Sequence, residues 1–290
     1  MSSAHSSSEL AQLALVGASG RMGSAIARCA LGEASRTLAL RVAVVPEGSG
    51  VIGNAVDGHA GVSYAGPSAA AATLLAGLGL RAHGPETLVL CDFSSPGGVA
   101  WSIEIAERLA SDHRGGGVGG SGVVGGAGRV ALLVGVTGLD RPEHQALVAR
   151  LRALSHRCAV LVTPNTSLGV AAVAHAAAGL ARALGPGYSW TMAETHHTRK
   201  KDAPSGTALR LAQAIASGGV TMEASAIRSI REGEVVGTHT IAIEGPGEVI
   251  ELTHRATTRD LFAHGALRCC AFLAGRPAGW YTMEDVVGRA

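Results

Sequence analysis

Short apolar runs that each stop at a turn of small residues, with helical stretches between them, leave this chain few folds to choose from. Gln12–Val16 ends at Gly17, Leu38–Val45 at Pro46, Thr87–Phe93 at Ser94-Ser95-Pro96, Val130–Val134 at Gly135, and Cys158–Val162 at Thr163-Pro164. Runs of this length are strands buried on both faces. Alternation with helices makes them neighbours in a parallel sheet. In such a sheet ligands collect at the carboxyl ends of the strands, so the turns Gly17 to Gly23, Phe93 to Pro96, Gly135 to Gly138 and Pro164 to Ser167 form one rim.

The first turn, GASGRMG, follows a strand and opens an Ala-rich helix. Its spacing, Gly17-x-x-Gly20-x-x-Gly23, departs from the strict dinucleotide fingerprint but keeps its physical parts. Small residues allow a tight turn and close backbone approach, the helix start offers N–H donors, and Arg21 adds a cation. Past the second strand, Glu47 is the nearby acid able to meet a ribose, so both NADH and NADPH stay open as cofactors. The glycine tract Gly115–Gly128 lacks the lysine ending of a phosphate loop and reads as a flexible surface insertion.

After Ser167 the pattern changes. A helix over Gly169–Leu184, a short strand over Ser189–Glu194, a helix over Gly206–Ala216 capped by Ser205, and two alternating runs, Val235–Glu244 and Glu248–Arg255, describe an α+β unit. His239 and His254 lie in those last runs and are expected on a solvated or packed surface. A final helix, Leu261–Leu273, leads toward the first unit. The expected architecture is α/β: a Rossmann-like doubly wound parallel sheet made by residues 1–167 and 261–290, with 168–260 inserted as an α+β substrate and oligomerisation domain.

Chemistry concentrates in Glu194–Thr207, ETHHTRKKDAPSGT. His196 and His197 exchange protons near neutral pH, Lys200 can hold an anion, and the start of the helix at Gly206 supplies N–H donors and partial positive charge. Adjacent histidines on extended chain point to opposite sides and so take different jobs. A metal is a poor fit, because the pair lacks further ligands at suitable spacing and Lys200 crowds it. A bland basic surface loop is the plainer alternative.

Composition removes other classes. Aromatics are 3% of the chain, too few for base-stacking platforms, and a net charge of +2 gives no reason to expect nucleic acid or membrane as a partner. The five cysteines are scattered without CxxC spacing and suit a reducing compartment. The stretch MSSAHSSSEL lacks the basic start and apolar core of a secretory signal, and no uninterrupted apolar run reaches eighteen residues. A cytoplasmic location is the expectation.

The run Glu194-x-His196-His197-x-x-Lys200-x-Asp202-Ala203-Pro204-Ser205-Gly206-Thr207 closely resembles the signature of the 4-hydroxy-tetrahydrodipicolinate reductase family. VGASGRMG, CDFSSP, GVTG, PNTSLGV, VVGTHT and ELTHRATTRDLFAHGAL match in order along nearly the whole chain. The resemblance implies an NAD(P)H-dependent oxidoreductase of diaminopimelate and lysine biosynthesis, a small dicarboxylate as substrate, and a homotetramer. It implies His196 as general acid, Lys200 as the group that holds and polarises substrate, and His197, Ser205, Gly206 and Thr207 as carboxylate binders. For the cofactor it implies Gly17, Gly20, Arg21, Met22 and Gly23 at the phosphates, and Phe93, Gly135, Thr137, Pro164, Asn165 and Arg259 toward the nicotinamide. Val45 stands where the family commonly carries an acid. Another NAD(P)-dependent reductase of a small acid, or a non-catalytic nucleotide sensor on the same fold, are the alternatives.

Overall fold

The structure, a computed structural model, describes residues 10–32, 37–76, 87–111 and 130–288. The glycine tract Gly115–Gly128, read above as an insertion, lies outside the described residues. Two compact units emerge, Met1–Thr166 with Phe262–Met283, and Ser167–Leu261 with Glu284–Ala290.

The first unit is built on strands β1 (Ala11–Val16), β2 (Leu38–Val44), β3 (Tyr64–Ala65), β4 (Leu88–Asp92), β5 (Val130–Val134) and β6 (Ala159–Val162). Helices α1 (Arg21–Ala30), α2 (Pro67–Leu75), α3 (Pro96–Ser111) and α4 (Gln145–Leu154) alternate with them. All strand pairs are parallel, and the spatial order is β11-β6-β5-β4-β1-β2-β3, where β11 is Gly279–Tyr281. This is the doubly wound arrangement, with the reversal of strand order between β1 and β4. The strands β4 and β5 are buried at every position, because helices cover both faces. Leu88, Leu90, Ile103, Leu132, Leu151 and Val160 belong to one apolar cluster. The short strand β11 was not legible beforehand; it brings the chain back beside β6 after α7 (Asp260–Ala274).

In the second unit a sheet of order β10-β9-β7-β8 carries β7 (Ser189–His196), β8 (Ile227–Arg231), β9 (Gly237–Gly245) and β10 (Glu248–Ala256). Helices α5 (Leu168–Leu184) and α6 (Gly206–Ser217) share a core with it: Val170, Ala174, Leu211 and Ile215 cluster with Trp190, Met192, Ile241 and Ile243. The short helix α8 (Met283–Val287) closes the described chain.

The segment Leu168–Gly187 reaches a mean hydropathy of 1.4 over a window long enough to cross a membrane, which counting uninterrupted apolar residues does not reveal. Its alanines explain both facts. They raise the mean, and on α5 Ala174, Ala177 and Ala181 are buried against this unit's core, as in a core helix.

Candidate active site

Strand β7 alternates so that Trp190, Met192, Glu194 and His196 are buried on one face. In β9 the matching set is Gly237, His239, Ile241 and Ile243. Register turns these alternations into rows. Met192 pairs with Ile227 on one side and Ile241 on the other, and Ile241 with Leu252, giving an apolar row. Two residues along, Glu194 pairs with Ser229 and His239, and His239 with His254. The next pairing places His196 opposite Arg231. The same buried face therefore passes from hydrocarbon to a row of acid, base and hydroxyl groups.

That polar row is tightly connected. The His196 Nδ1 hydrogen-bonds the Glu194 carboxylate through Oε2, while Arg231 Nη2 donates to Glu194 Oε1 at 2.9 Å. The same Arg231 group donates to the backbone carbonyl of Asp202 and so ties the loop after β7 to β8. His239 lies edge-on to His196, with ring centroids 5.1 Å apart, and its Nε2 is 3.1 Å from Ser205 Oγ. Ser205 is also the N-cap of α6, accepting from the Ala208 N–H at 3.2 Å. A parallel arrangement joins Ser167, the N-cap of α5, to His254 Nε2 at 3.4 Å.

Burial sets the charge states. It pushes the Glu194 carboxyl upward, but hydrogen bonds from Arg231 and His196 outweigh it and hold the group below its ordinary range as an anion. For His196 burial lowers the pKa, the Glu194 carboxylate opposes, and Lys200 and Arg231 add to the lowering; the net direction is down. Burial likewise brings His239 down to about 4, helped by the charge of His196. Near neutral pH the row thus holds a carboxylate and neutral imidazoles, with Nδ1 of His196 as the donor to Glu194.

Ligand atoms of Glu194, His196 and His239 lie within 4.8 Å of one another, a spacing that would suit a cation. Their chemistry does not. Both Glu194 oxygens are engaged by Arg231 and His196, and a guanidinium already supplies the positive charge.

Beside this row the Lys200 Nζ pairs with Asp202 Oδ2 at 2.8 Å. The Lys200 hydrogen bond foremost holds the Asp202 carboxyl below its ordinary pKa, with the backbone N–H groups of Asp202 and, least, of Gly206 at the start of α6 adding to the lowering. Lys200, expected as a free anion holder, is therefore occupied by the chain's own carboxylate. His197 follows the end of β7 and is half-buried, and Arg199 foremost holds the exposed Glu234 carboxyl below its ordinary pKa. Arg199 forms a two-pronged pair with Glu234, at 2.7 and 2.6 Å. Thr207 follows in the first turn of α6, and Arg259 is exposed just before α7.

In the first unit the predicted cofactor residues stand at the carboxyl ends of adjacent strands. Gly17, Gly20, Arg21, Met22 and Gly23 follow β1, Phe93 follows β4, Gly135 and Thr137 follow β5, and Pro164 and Asn165 follow β6. Gly17 has φ +81, and a Cβ there would meet Phe93 O at 2.8 Å; one on Gly23 would meet Gly17 O at 2.2 Å. Only glycine permits this turn and this closeness of α1 to it. The first turn of α1 contains no acidic residue and no side-chain cap, so its dipole end is not neutralised from within the helix. Buried Asp92 braces the rim: it accepts from Ser94 N at 2.9 Å and from Ser102 Oγ at 2.6 Å. Glu47 is exposed beyond β2, and its carboxylate lies against Gly66, the N-cap of α2. Val45 is buried.

Comparison with known proteins gives the lineage. The family description "Dihydrodipicolinate reductase, C-terminus" matches residues 169–287. The 4-hydroxy-tetrahydrodipicolinate reductase of Anaeromyxobacter dehalogenans (strain 2CP-1 / ATCC BAA-258) is 36% identical over 297 residues, covering 96% of this chain and 98% of that one. The chain belongs to the 4-hydroxy-tetrahydrodipicolinate reductase family. A second member, from Myxococcus xanthus (strain DK1622), is 44% identical over 176 residues, spanning 55% of this chain and a little under two thirds, 64%, of that relative. Among solved structures, the dipicolinate-bound dihydrodipicolinate reductase from Paenisporosarcina sp. TG-14 has a TM-score of 0.63 at 18% identity, covering 95% of this chain and 99% of that one. It shares the fold.

Reading the sequence by itself missed Arg231, and it gave His239 and His254 no part in the site. The signal was present. His239 is in phase with Ile241 and Ile243, His254 with Leu252 and Ile250, and Arg231 with Ile227, so alternation places each polar group on an apolar face.

Proposed function

We propose that this chain reduces 4-hydroxy-tetrahydrodipicolinate to tetrahydrodipicolinate, a step of diaminopimelate and lysine biosynthesis, using NADH or NADPH. Family membership supports the reaction class. The observation that carries the site assignment is the Asp202 carboxylate paired with Lys200 on the loop that leads into the start of α6. That spot is built for a carboxylate, and the substrate has two.

On this reading the first unit is the dinucleotide-binding domain. Gly17 and Gly23 allow the tight turn that presents the α1 start to a pyrophosphate, Arg21 adds charge there, and Phe93, Gly135, Thr137, Pro164 and Asn165 continue the rim. A bound nicotinamide dinucleotide supplies the hydride. The second unit binds substrate and builds a homotetramer. Lys200, Gly206 and Thr207 take one carboxylate, with His197 and Ser205 nearby, and Arg259 is the residue we assign to the nicotinamide end. His196 donates a proton to the conjugated system as the hydride arrives, the hydroxyl having left as water. The dicarboxylate brings negative charge beside His196, which raises its proton affinity on binding, so that Nε2 takes a proton from solvent before the hydride arrives and then gives it up to the conjugated system.

A reductase assay with the cyclic dicarboxylate, run in parallel with NADH and NADPH, tests the reading. Oxidation of either cofactor dependent on that substrate is the expected result; none with either cofactor overturns it.

A further inference from the structure

His196 does not stand alone in its row. Its Nδ1 is held by Glu194, and Glu194 is held in turn by Arg231 from the neighbouring strand. The Nε2 edge lies beside Gly237, where an added Cβ would come within 3.0 Å of it, so the strand opposite carries no side chain at that edge. Glu194 is fully buried, and its flanking groups, His196, Ser229, Arg231 and His239, come from three paired strands.

We infer that Glu194, anchored by Arg231, is a positioning residue for the proton transfer assigned to His196. It holds the imidazole with the proton on Nδ1 and Nε2 as the transferring nitrogen, and balances the imidazolium that forms when Nε2 takes up a proton. The two partners act in opposite electrostatic senses. Glu194 favours the charged imidazole; Arg231 disfavours it while keeping Glu194 ionised.

The charged or titratable groups about His196 are Glu194 on β7, Arg231 on β8, His239 on β9 and Lys200, paired with Asp202, on the loop after β7, with His254 on β10 beyond His239; Glu194, Lys200 and Arg231 act on its titration. Removing one at a time therefore separates an electrostatic role from loss of shape. A packing role predicts no sign; this one predicts two.

The test is a pH titration of His196 in full-length, ligand-free protein by nitrogen-15 NMR, with the signal assigned by its loss in His196→Gln. The unsubstituted protein should show Nδ1 protonated and Nε2 bare above the titration. Glu194→Gln should move the titration to lower pH and Arg231→Gln to higher pH, while both lower kcat, the former by about 100-fold, the low end of what a positioned acid contributes. Displacement of both in one direction, no displacement, an Nε2–H form in the unsubstituted protein, or undiminished kcat in Glu194→Gln would overturn the inference. The tautomer measurement needs no substitution at Glu194 or Arg231, so failure of either of those variants to fold leaves the question decidable. The kinetic arm rests on the reductase reading. If the unsubstituted protein has no reductase activity, that reading fails and the titration still decides the role of Glu194.

Discussion

At the scale of single residues, the site separates a proton from a charge. Burial lowers the proton affinity of His196 against the opposing Glu194 carboxylate, and Lys200 sits at the loop with a carboxylate already in hand. Replacing His196 by Gln keeps shape and hydrogen bonding while removing the transferable proton, so kcat should fall about 100- to 10,000-fold with little change in KM. Steady-state kinetics with the cyclic dicarboxylate checks this, and undiminished turnover removes His196 from the chemistry. Lys200→Ala should weaken both binding and rate, measured in the same assay. For Asp202 the direction reverses. An exposed ion pair is worth up to about 1 kcal/mol, so freeing Lys200 by Asp202→Asn should tighten binding of pyridine-2,6-dicarboxylate up to about fivefold by calorimetry. Weaker binding in that variant would show that Asp202 orients Lys200 instead of competing for it.

At the scale of elements, α6 packs on the sheet through Leu211 and Ile215 and is tied to it again by a hydroxyl at its start. Ser205 caps the helix and meets His239 Nε2, so its loss removes the cap and leaves a buried imidazole nitrogen unsatisfied. The cap is worth about 1 kcal/mol and an orphaned buried group about 1 to 3 more. Urea unfolding of Ser205→Ala should show a loss of about 2 to 4 kcal/mol; a loss below 0.5 kcal/mol would mean that water or a shifted helix start replaces the hydroxyl. Elements were also where the sequence was most legible. The strands ending at Gly17, Ser94, Gly135 and Thr163, the helix capped by Ser205 and the hairpin across Gly245–Gly247 are local patterns, each readable within a dozen residues. The row Ser229–Glu194–His239–His254 is not local. It exists only through register among four strands separated by loops and a helix, and β8 is a five-residue edge strand whose Ile-Arg-Ser-Ile-Arg pattern is too short to announce itself.

For the molecule as a whole, the buried histidines tie stability to pH. The folded-state pKa of His239 is about 4, below the ordinary 6.5, so the unfolded chain binds this proton first. Stability from this group is complete above about pH 6.5, is lost as pH falls from there toward 4, and changes no further below the folded value. The displacement corresponds to about 3 kcal/mol. Melting temperatures across that window should fall, and His239→Gln should flatten the fall; an unchanged slope would assign the acid sensitivity to other groups. All five cysteines belong to the first unit, and the residues between Ser167 and Leu261 contain none. Four of them are buried, with burial holding Cys158 and Cys269 up at about 12 and Cys270 above its ordinary value; Cys29 alone is partly exposed. The chain thus carries an internal reporter with an address. Under mild acid, a disulfide reagent that stays reactive at low pH should label Cys29 and spare the others while the second unit loosens, turning thiol counting into a readout of which half of the protein has let go.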